Sequence, residues 1–548
     1  MPTITLNKKV FEGLVGKKLP LDKLKDRISM LGTDLESIEG NEIMVEIFPN
    51  RPDMLSEQGF ARAFSSFIGV RTGLRKYNVK SSGEKVIIDS SVKDVRPYTA
   101  CAIVRNLKFN DEKIKEVIQI QEKLHVTFGR NRKKAAIGIY PLEHIKLPIT
   151  FFGEDPKKVK FQPLEFPKEI DGMQILSLHP AGRDYAHLLE GMKKFPFFKD
   201  ADGKILSMPP IINSHDTGKI SEKTSEVFIE CSGFDFNTLE KCLNIIVTSL
   251  SEMGGTIYSM ELNYPDKKII TPCLEPEEMK IDLDYINKRL GLELSEKEIK
   301  DYLEKMGYGY SNKKVLVPAY RADVLHQVDF VEDIAIAYGY ENFDPEIPKV
   351  ATIGEEDEFE IFRKKISEIL AGLGLLEVNT YHITSQENQT TKMGVNMGLI
   401  QLENALTAEY SHMRAWIIPS LMEVFQGNKH NEYPQNIFDI GTIFKKDETA
   451  ETNVTEHTRL AVGLCNESAD FTKIKQVFDY LMRMAGFKYE FKDDEHPSFI
   501  PGRVARVSVK GKKIAYIGEI SPRVLENFDM QMPVSAFELN LTELFELK

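Results

Sequence analysis

The chain has 548 residues, 42% hydrophobic and 28% charged, with a formal net charge of −12. That length holds three or four domains of about 100–200 residues each, and the balance is ordinary for a globular protein with several cores. The charge excludes a wholesale basic nucleic-acid coat but leaves RNA contact through a local patch open, because affinity follows where the cations sit. No run reaches the roughly 20 apolar residues that a bilayer crossing needs. The opening MPTITLNKKVFEGLVGKKL lacks the basic flank, apolar run and small-residue site of a secretory signal. Cys101, Cys231, Cys242, Cys273 and Cys465 are scattered, with no pair two residues apart. An odd, dispersed set implies reduced thiols and a cytoplasmic protein, and argues against a zinc or disulfide framework.

The first seventy-odd residues read as a compact mixed unit. MLGTDLESIEG breaks at Gly40, and EIMVEIF then alternates like a half-buried strand. NRPDMLSEQGFARAFSSFIGV is a turn running into an amphipathic helix, with Phe60, Ala61, Phe64 and Phe67 on one face. KYNVKSSGEK (76–85) is polar and poor in apolar residues, a linker by composition. From about 88 to 265 strands and helices mix. VIIDSSV and YTACAIVRNLKF are predicted strands, LEKCLNIIVTSLSEMGG a buried helix stopped by glycines, and GTIYSMELNYP the strand after it.

A third unit opens near Met279 with MKIDLDYINKRLGL, followed by SEKEIKDYLEKMGYG, in which Ser295 and Glu298 form a capping box. KKVLVPAYR is a short strand, and YRADVLHQVDFVEDIAIAYGY (320–340) ends in a helix. PEIPKVATIGEEDE, acidic and punctuated by prolines, separates this from the final stretch. There Phe359, Phe362, Ile366, Ile369 and Leu370 recur at helical spacing, and NIFDIGTIF, RLAVGLC, VARVSVKG and KIAYIGEI are strands of an α+β domain.

Three constellations invite a functional reading. Asp323, Asp329, Glu332 and Asp333 crowd one loop and one helix face. They lack the EF-hand register but could serve magnesium, which needs only one or two carboxylates plus waters. Equally, acids favour the positive end of a helix dipole and face solvent there. RNRKK (130–134) is the densest basic run, and such runs are usually solvated turns. HPAGRDYAH (179–187) and MPPIINSHDTGKISEKTSEVFIECSG (208–233) concentrate uncharged polarity beside Pro209–Pro210. They suggest either a loop-lined pocket or a turn-rich surface; His179, His187 and His215 singly read as structural residues. No phosphate-binding glycine loop, dinucleotide fingerprint, serine-hydrolase elbow or zinc-protease histidine pair occurs.

Four segments in order, NRPDMLSEQGFARA, LSMPPIINSHDTGKISEKTSEVFIECSGFDF, YRADVLHQVDFVEDIAIAYGY, and HMRAWIIPSLMEVFQGN with NIFDIGTIF, resemble the beta subunit of phenylalanyl-tRNA synthetase of the archaeal/eukaryotic type. The resemblance spans essentially the whole chain. It implies an α+β multidomain protein: an N-terminal mixed module (1–85), an α/β editing domain (86–270), a winged-helix-like magnesium-bearing domain (271–347), and a class II synthetase-like antiparallel core without catalytic motifs (348–548). Where that class carries an arginine two residues before a glutamate, this chain reads NIFDIGTIF. Where a glycine-rich motif ends in arginine, it reads EISPRVLENFDMQMPVSAFELNLTEL. ATP and phenylalanine are therefore expected on a separate alpha subunit, in an assembly of two alpha and two beta chains that binds tRNA(Phe) and is not membrane-bound.

The same resemblance implies that Asp323, Asp329, Glu332 and Asp333 hold Mg2+ at the alpha junction. It also implies that Ser207, Asn213, Glu230 and Ser232 form a pocket that hydrolyses mischarged Tyr-tRNA(Phe), with Glu230 as a charged acceptor for the tyrosyl hydroxyl. Glutamate at 230 and serine at 232 stand where the family more usually has aspartate and threonine, and no residue is an obvious general base. The alternative is a structural, tRNA-binding paralogue that does not edit.

Overall fold

The computed structural model describes residues 2–348 and 350–548 and divides into two compact units, up to Ile347 and from Pro348. Of the acidic segment read as an interdomain linker, Lys349 lies outside the described residues. The molecule is a mixed α/β multidomain protein.

The first unit begins with an antiparallel sheet in the order Thr3–Asn7, Glu42–Glu46, Asp34–Glu39. The predicted amphipathic helix is Glu57–Phe67, capped by the Ser56 hydroxyl, which accepts from the Gly59 N–H at 3.0 Å. Its four apolar positions are all buried. Burying a Phe side chain is worth about 1.5–3 kcal/mol, so Phe60, Phe64 and Phe67, with the Phe11 ring tilted at 5.7 and 5.3 Å from the first two, anchor this module.

Among the described residues the central sheet has ten strands. From one edge the order is Ile212–Asn213, Ile205–Met208, Phe195–Lys199, Ile149–Glu154, Val79–Ile88, Thr256–Asn263, Tyr98–Arg105, Val227–Gly233, Ala135–Pro141, and Lys268–Thr271 pairs additionally with Thr256–Asn263. The segment expected to be a linker is instead mostly the strand Val79–Ile88, parallel to both neighbours. Its polar composition misled because pairing uses the backbone, and alternate side chains there stay exposed. The buried helix is Phe236–Glu252.

The two edges of this sheet approach each other. Tyr140, on one edge strand, donates to Asn213 Oδ1 on the other at 3.3 Å. Arg132, just before the first of these, donates to the carbonyls of Pro210 (3.3 Å) and Ile211 (2.9 Å), just before the second.

The third module pairs Glu277–Lys280, Lys314–Val317 and Gly309–Ser311 in one small sheet against helices Leu283–Leu290, Glu296–Lys305 and Gln327–Tyr338. The capping box of Ser295 and Glu298 is formed in both directions. One continuous core joins the N-terminal module, the Phe236–Glu252 helix and this module.

In the second unit a seven-stranded sheet runs Leu376–Glu377, Gln435–Lys446, Val454–Cys465, Val534–Asn540, Lys512–Ile520, Phe499–Val509, Glu490–Asp493, antiparallel except for its first pair. Helices Glu358–Gly372 and Phe471–Ala485 belong to one core and Ile418–Asn428 to another. Arg414 is fully buried here, donating to Thr442 O at 2.8 Å and to Asp439 Oδ2 at 3.2 Å. The glycine of NIFDIGTIF makes room for it: a Cβ on Gly441 would lie 1.9 Å from the guanidinium.

Candidate active site and the acidic segment

A pocket of about 140 Å³ lies where the two edges of the ten-stranded sheet meet, lined among others by Ser207, Asn213, Glu230, His125 and Arg132. Ser207 and Asn213 are direct cross-strand partners. Glu230 sits on Val227–Gly233 opposite Gly138, whose missing Cβ would fall 2.6 Å from Glu230 Oε1 and 2.2 Å from the Tyr140 hydroxyl. Any larger residue at 138 closes the pocket floor. Tyr140, which sequence reading did not single out, bridges the site: its hydroxyl lies 3.2 Å from Glu230 Oε1 and 3.3 Å from Asn213 Oδ1. A lone tyrosine in AAIGIYP carried no signal before the sheet edges were seen to meet.

Three polar atoms on residues that line this pocket are buried without a hydrogen-bond partner, Glu230 Oε2, Ser207 Oγ and Arg132 Nε. Burial pushes the Glu230 carboxyl up to about 8, against the pull of Arg96 and the Tyr140 and Ser232 hydroxyls. A raised carboxyl favours the neutral form, which can both donate and accept. Ser232 does not line the cavity; its Oγ accepts from the buried Arg96 Nε at 3.1 Å, and its carbonyl accepts from Arg96 Nη2 at 2.5 Å. It positions the cation that faces Glu230.

The basic run RNRKK is more than a solvated turn. Arg130, Asn131 and Arg132 all have positive φ (49°, 51°, 65°), and successive left-handed residues are held only where surroundings dictate them. Arg132 supplies that constraint, tying the two sheet edges and Glu122 (3.2 Å) together. His125 is no base: its Nε2 accepts from the Ile137 N–H at 2.8 Å, which leaves Nδ1 to donate toward Glu122. His179 is likewise structural, accepting from the Ala181 N–H at a helix start.

The acids of 320–333 each have a partner. Arg321 clamps Asp323 with two bonds of 2.7 Å and reaches Asp333 at 2.8 Å, and the Tyr308 hydroxyl donates to Asp333 as well. Arg321 is 2% exposed; burial works against its charge, but Asp333, Tyr308 and Asp323 outweigh it and hold its pKa raised. Asp329 accepts from the N–H groups of Leu325 (2.8 Å) and His326 (2.9 Å), the helix-terminus role. Glu332, exposed, accepts from the Tyr340 hydroxyl at 2.9 Å. As arranged the four do not make one ligand set, and among the described residues no group of three or more His, Cys, Asp or Glu is poised to hold a metal ion. Beside this network Arg51 clamps Asp53, and Arg62 lies 3.8 Å over the Tyr320 ring.

A family model described as the phenylalanyl tRNA synthetase beta chain CLM domain matches residues 344–541, and the tRNA synthetase B5 domain matches 279–340. The phenylalanine–tRNA ligase beta subunit of Thermococcus gammatolerans is 41% identical over 100% of this chain and 99% of its own. The chain belongs to the phenylalanine–tRNA ligase beta-subunit family. The beta subunit of Pyrococcus horikoshii is 40% identical over the whole of both chains. The crystal structure of an N-terminal fragment of the Pyrococcus horikoshii phenylalanyl-tRNA synthetase beta subunit superposes with a TM-score of 0.59, at 39% identity, over 62% of this family member and 99% of the fragment. Among the described residues no helix is long and apolar enough to cross a membrane.

Proposed function

We propose that this beta subunit supports phenylalanine attachment to tRNA(Phe) and itself clears Tyr-tRNA(Phe). On this reading activation chemistry resides on a separate alpha chain, in an assembly of two alpha and two beta subunits. The seven-stranded unit serves as a class II scaffold, and the 271–347 module is winged-helix-like. One observation carries the editing role: Glu230 Oε2 and Ser207 Oγ are both orphaned in a small pocket. Orphaned buried groups call for an explanation, and an incoming tyrosyl hydroxyl would pair with Glu230.

The size supports this, because a cavity of about 150 Å³ accepts a benzene ring. Phenylalanine would leave the buried polar atoms unpaired, and sites built to bond a hydroxyl reject analogues lacking it strongly, by about 10⁴-fold or more. Asn213, already engaged by Tyr140, would orient the ring end or the ester. The carboxylate at the rim, Glu122, has its pKa lowered by its bond to His125 and by Arg132, so it is a weak base. Hydrolysis then relies on placing water against the ester rather than on a strong general base.

A four-carboxylate magnesium cage does not fit the observed partners. Magnesium is proposed only through water at Asp329 and Glu332, the two acids not engaged by Arg321. The deciding experiment compares Tyr-tRNA(Phe) deacylation by the assembled enzyme and its Glu230→Ala form. Loss of clearance with phenylalanine attachment intact is expected. Equal clearance by both would remove Glu230 as the reader, and absence of clearance by the unaltered enzyme would favour the non-editing paralogue.

A further inference from the structure

The seven-stranded sheet carries a second pocket that the editing reading does not use. Cross-strand register aligns Arg506 with Tyr516 and Tyr516 with Glu538, and places Arg459 opposite Asn540. With Lys445 and Lys513 these residues wall a cavity of about 130 Å³.

Its charges do not cancel. Glu538 is fully engaged: Oε1 accepts from Arg459 Nη1 at 2.8 Å, and Oε2 from the N–H groups of Ile417 (2.8 Å) and Ile418 (3.0 Å). Glu543, also on the wall, is 3.8 Å from Lys512, a cation that does not line the cavity. Among the described residues Lys445, Arg506 and Lys513 have no carboxylate at ion-pair distance. The Arg506 guanidinium carbon lies 4.0 Å from the centroid of the Tyr516 ring. Its Nε and that of Arg459 are both buried without an acceptor. Two orphaned guanidinium N–H groups on residues that wall one small cavity are a sharp departure from the near-complete pairing of buried donors. Burial, with Arg459 next, holds the Lys445 pKa down, and burial with Arg506 does the same for His496.

We propose that this pocket binds a phosphate-class oxyanion, held by the Arg459 and Arg506 guanidinium groups and the Lys445 and Lys513 ammonium groups. A tetrahedral dianion offers several acceptor oxygens at once, which the two guanidinium and two ammonium groups can share. At about 30 Å³ per water, the cavity has room for a phosphate and a water or two but not for a whole nucleotide. A nucleotide would place only its phosphate inside.

Titration calorimetry of the full-length chain with inorganic phosphate, AMP and acetate, each at ionic strength matched with chloride, tests this. Saturable one-to-one phosphate binding is expected, weakened about tenfold or more by Arg506→Gln, which removes a charge-assisted pair. Lys513→Gln, at an exposed position that leaves the fold alone, should weaken it several-fold. Tyr-tRNA(Phe) deacylation should be unchanged in both variants. Tighter binding of AMP than of free phosphate would identify a nucleotide phosphate as the source, and the reverse order a free ion. No saturable binding of either, acetate binding as tightly as phosphate, or equal affinity in Lys513→Gln and the unaltered chain would overturn the proposal.

Discussion

Glu230→Gln tests the electrostatics of the editing pocket directly. The Glu230 carboxyl is raised from 4.5 to about 8, chiefly by burial. A carboxyl whose folded pKa exceeds its unfolded one binds a proton on folding between the two values. The stability that this proton brings is therefore complete below about 4.5 and is lost as pH rises through about 8. At about 1.36 kcal/mol per pH unit, the span from 4.5 to about 8 sets a limit of about 5 kcal/mol, most of it already lost by neutral pH. Glutamine keeps the shape, has no proton to lose, and so removes the slope. Altered hydrogen bonding of the amide adds a pH-independent offset of about 1 kcal/mol, which leaves the slope as the quantity to read. Urea unfolding of both proteins between about pH 5 and about pH 9, with the transition of the ten-stranded sheet followed by hydrogen exchange in Val227–Gly233, should show the gap widening in favour of glutamine toward pH 8, then levelling. A gap that stays constant with pH would refute a raised Glu230.

Arg321→Gln strands Asp323 and Asp333 together in a buried site and should destabilise the first unit by about 3–5 kcal/mol; adding Asp323→Asn should recover part of the loss, read by the same denaturation assay. Tyr140→Phe removes the bridge between Glu230 and Asn213 and should slow Tyr-tRNA(Phe) deacylation about tenfold or more while phenylalanine attachment by the assembled enzyme is unchanged. Gly138→Ala forces a methyl against the Tyr140 hydroxyl and Glu230, costing about 1–3 kcal/mol, with deacylation lost before the fold. Glu332→Ala should lower magnesium retention, measured by equilibrium dialysis, while Asp323→Ala should act on stability instead; the opposite pattern would restore a shared carboxylate site.

The sequence made the helices legible where period and cap agreed. Phe60, Ala61, Phe64 and Phe67 lie on one buried face, and Ser295 with Glu298 forms the cap their spacing announced. Long-range pairing was not legible. Val79–Ile88 is polar yet central, because its neighbours in the sheet come from residues far along the chain. The same limit hid Tyr140, whose role arises only when two sheet edges converge. It also left the acids of 320–333 with three open answers, solvent, helix terminus or cation. The structure gives three kinds of partner: an arginine for Asp323 and Asp333, a helix terminus for Asp329 and a tyrosine hydroxyl for exposed Glu332. Arg321 stands two residues before the first of them, but nothing in the string says that its guanidinium turns inward.

The packing of Arg62 on Tyr320 also sets a schedule for synthesis. Roughly 260 residues separate the two, which at about 5–20 residues per second is about 13–50 s of translation. Throughout that interval Arg62, with Tyr77 at 3.0 Å on one side, lacks the ring that covers its other face. The N-terminal module therefore emerges from the ribosome with an unfinished surface, which only the last third of the first unit completes. Slowing elongation between the two positions should lengthen its exposure to chaperones and proteases, and supplying the 271–347 module earlier by circular permutation should shorten it.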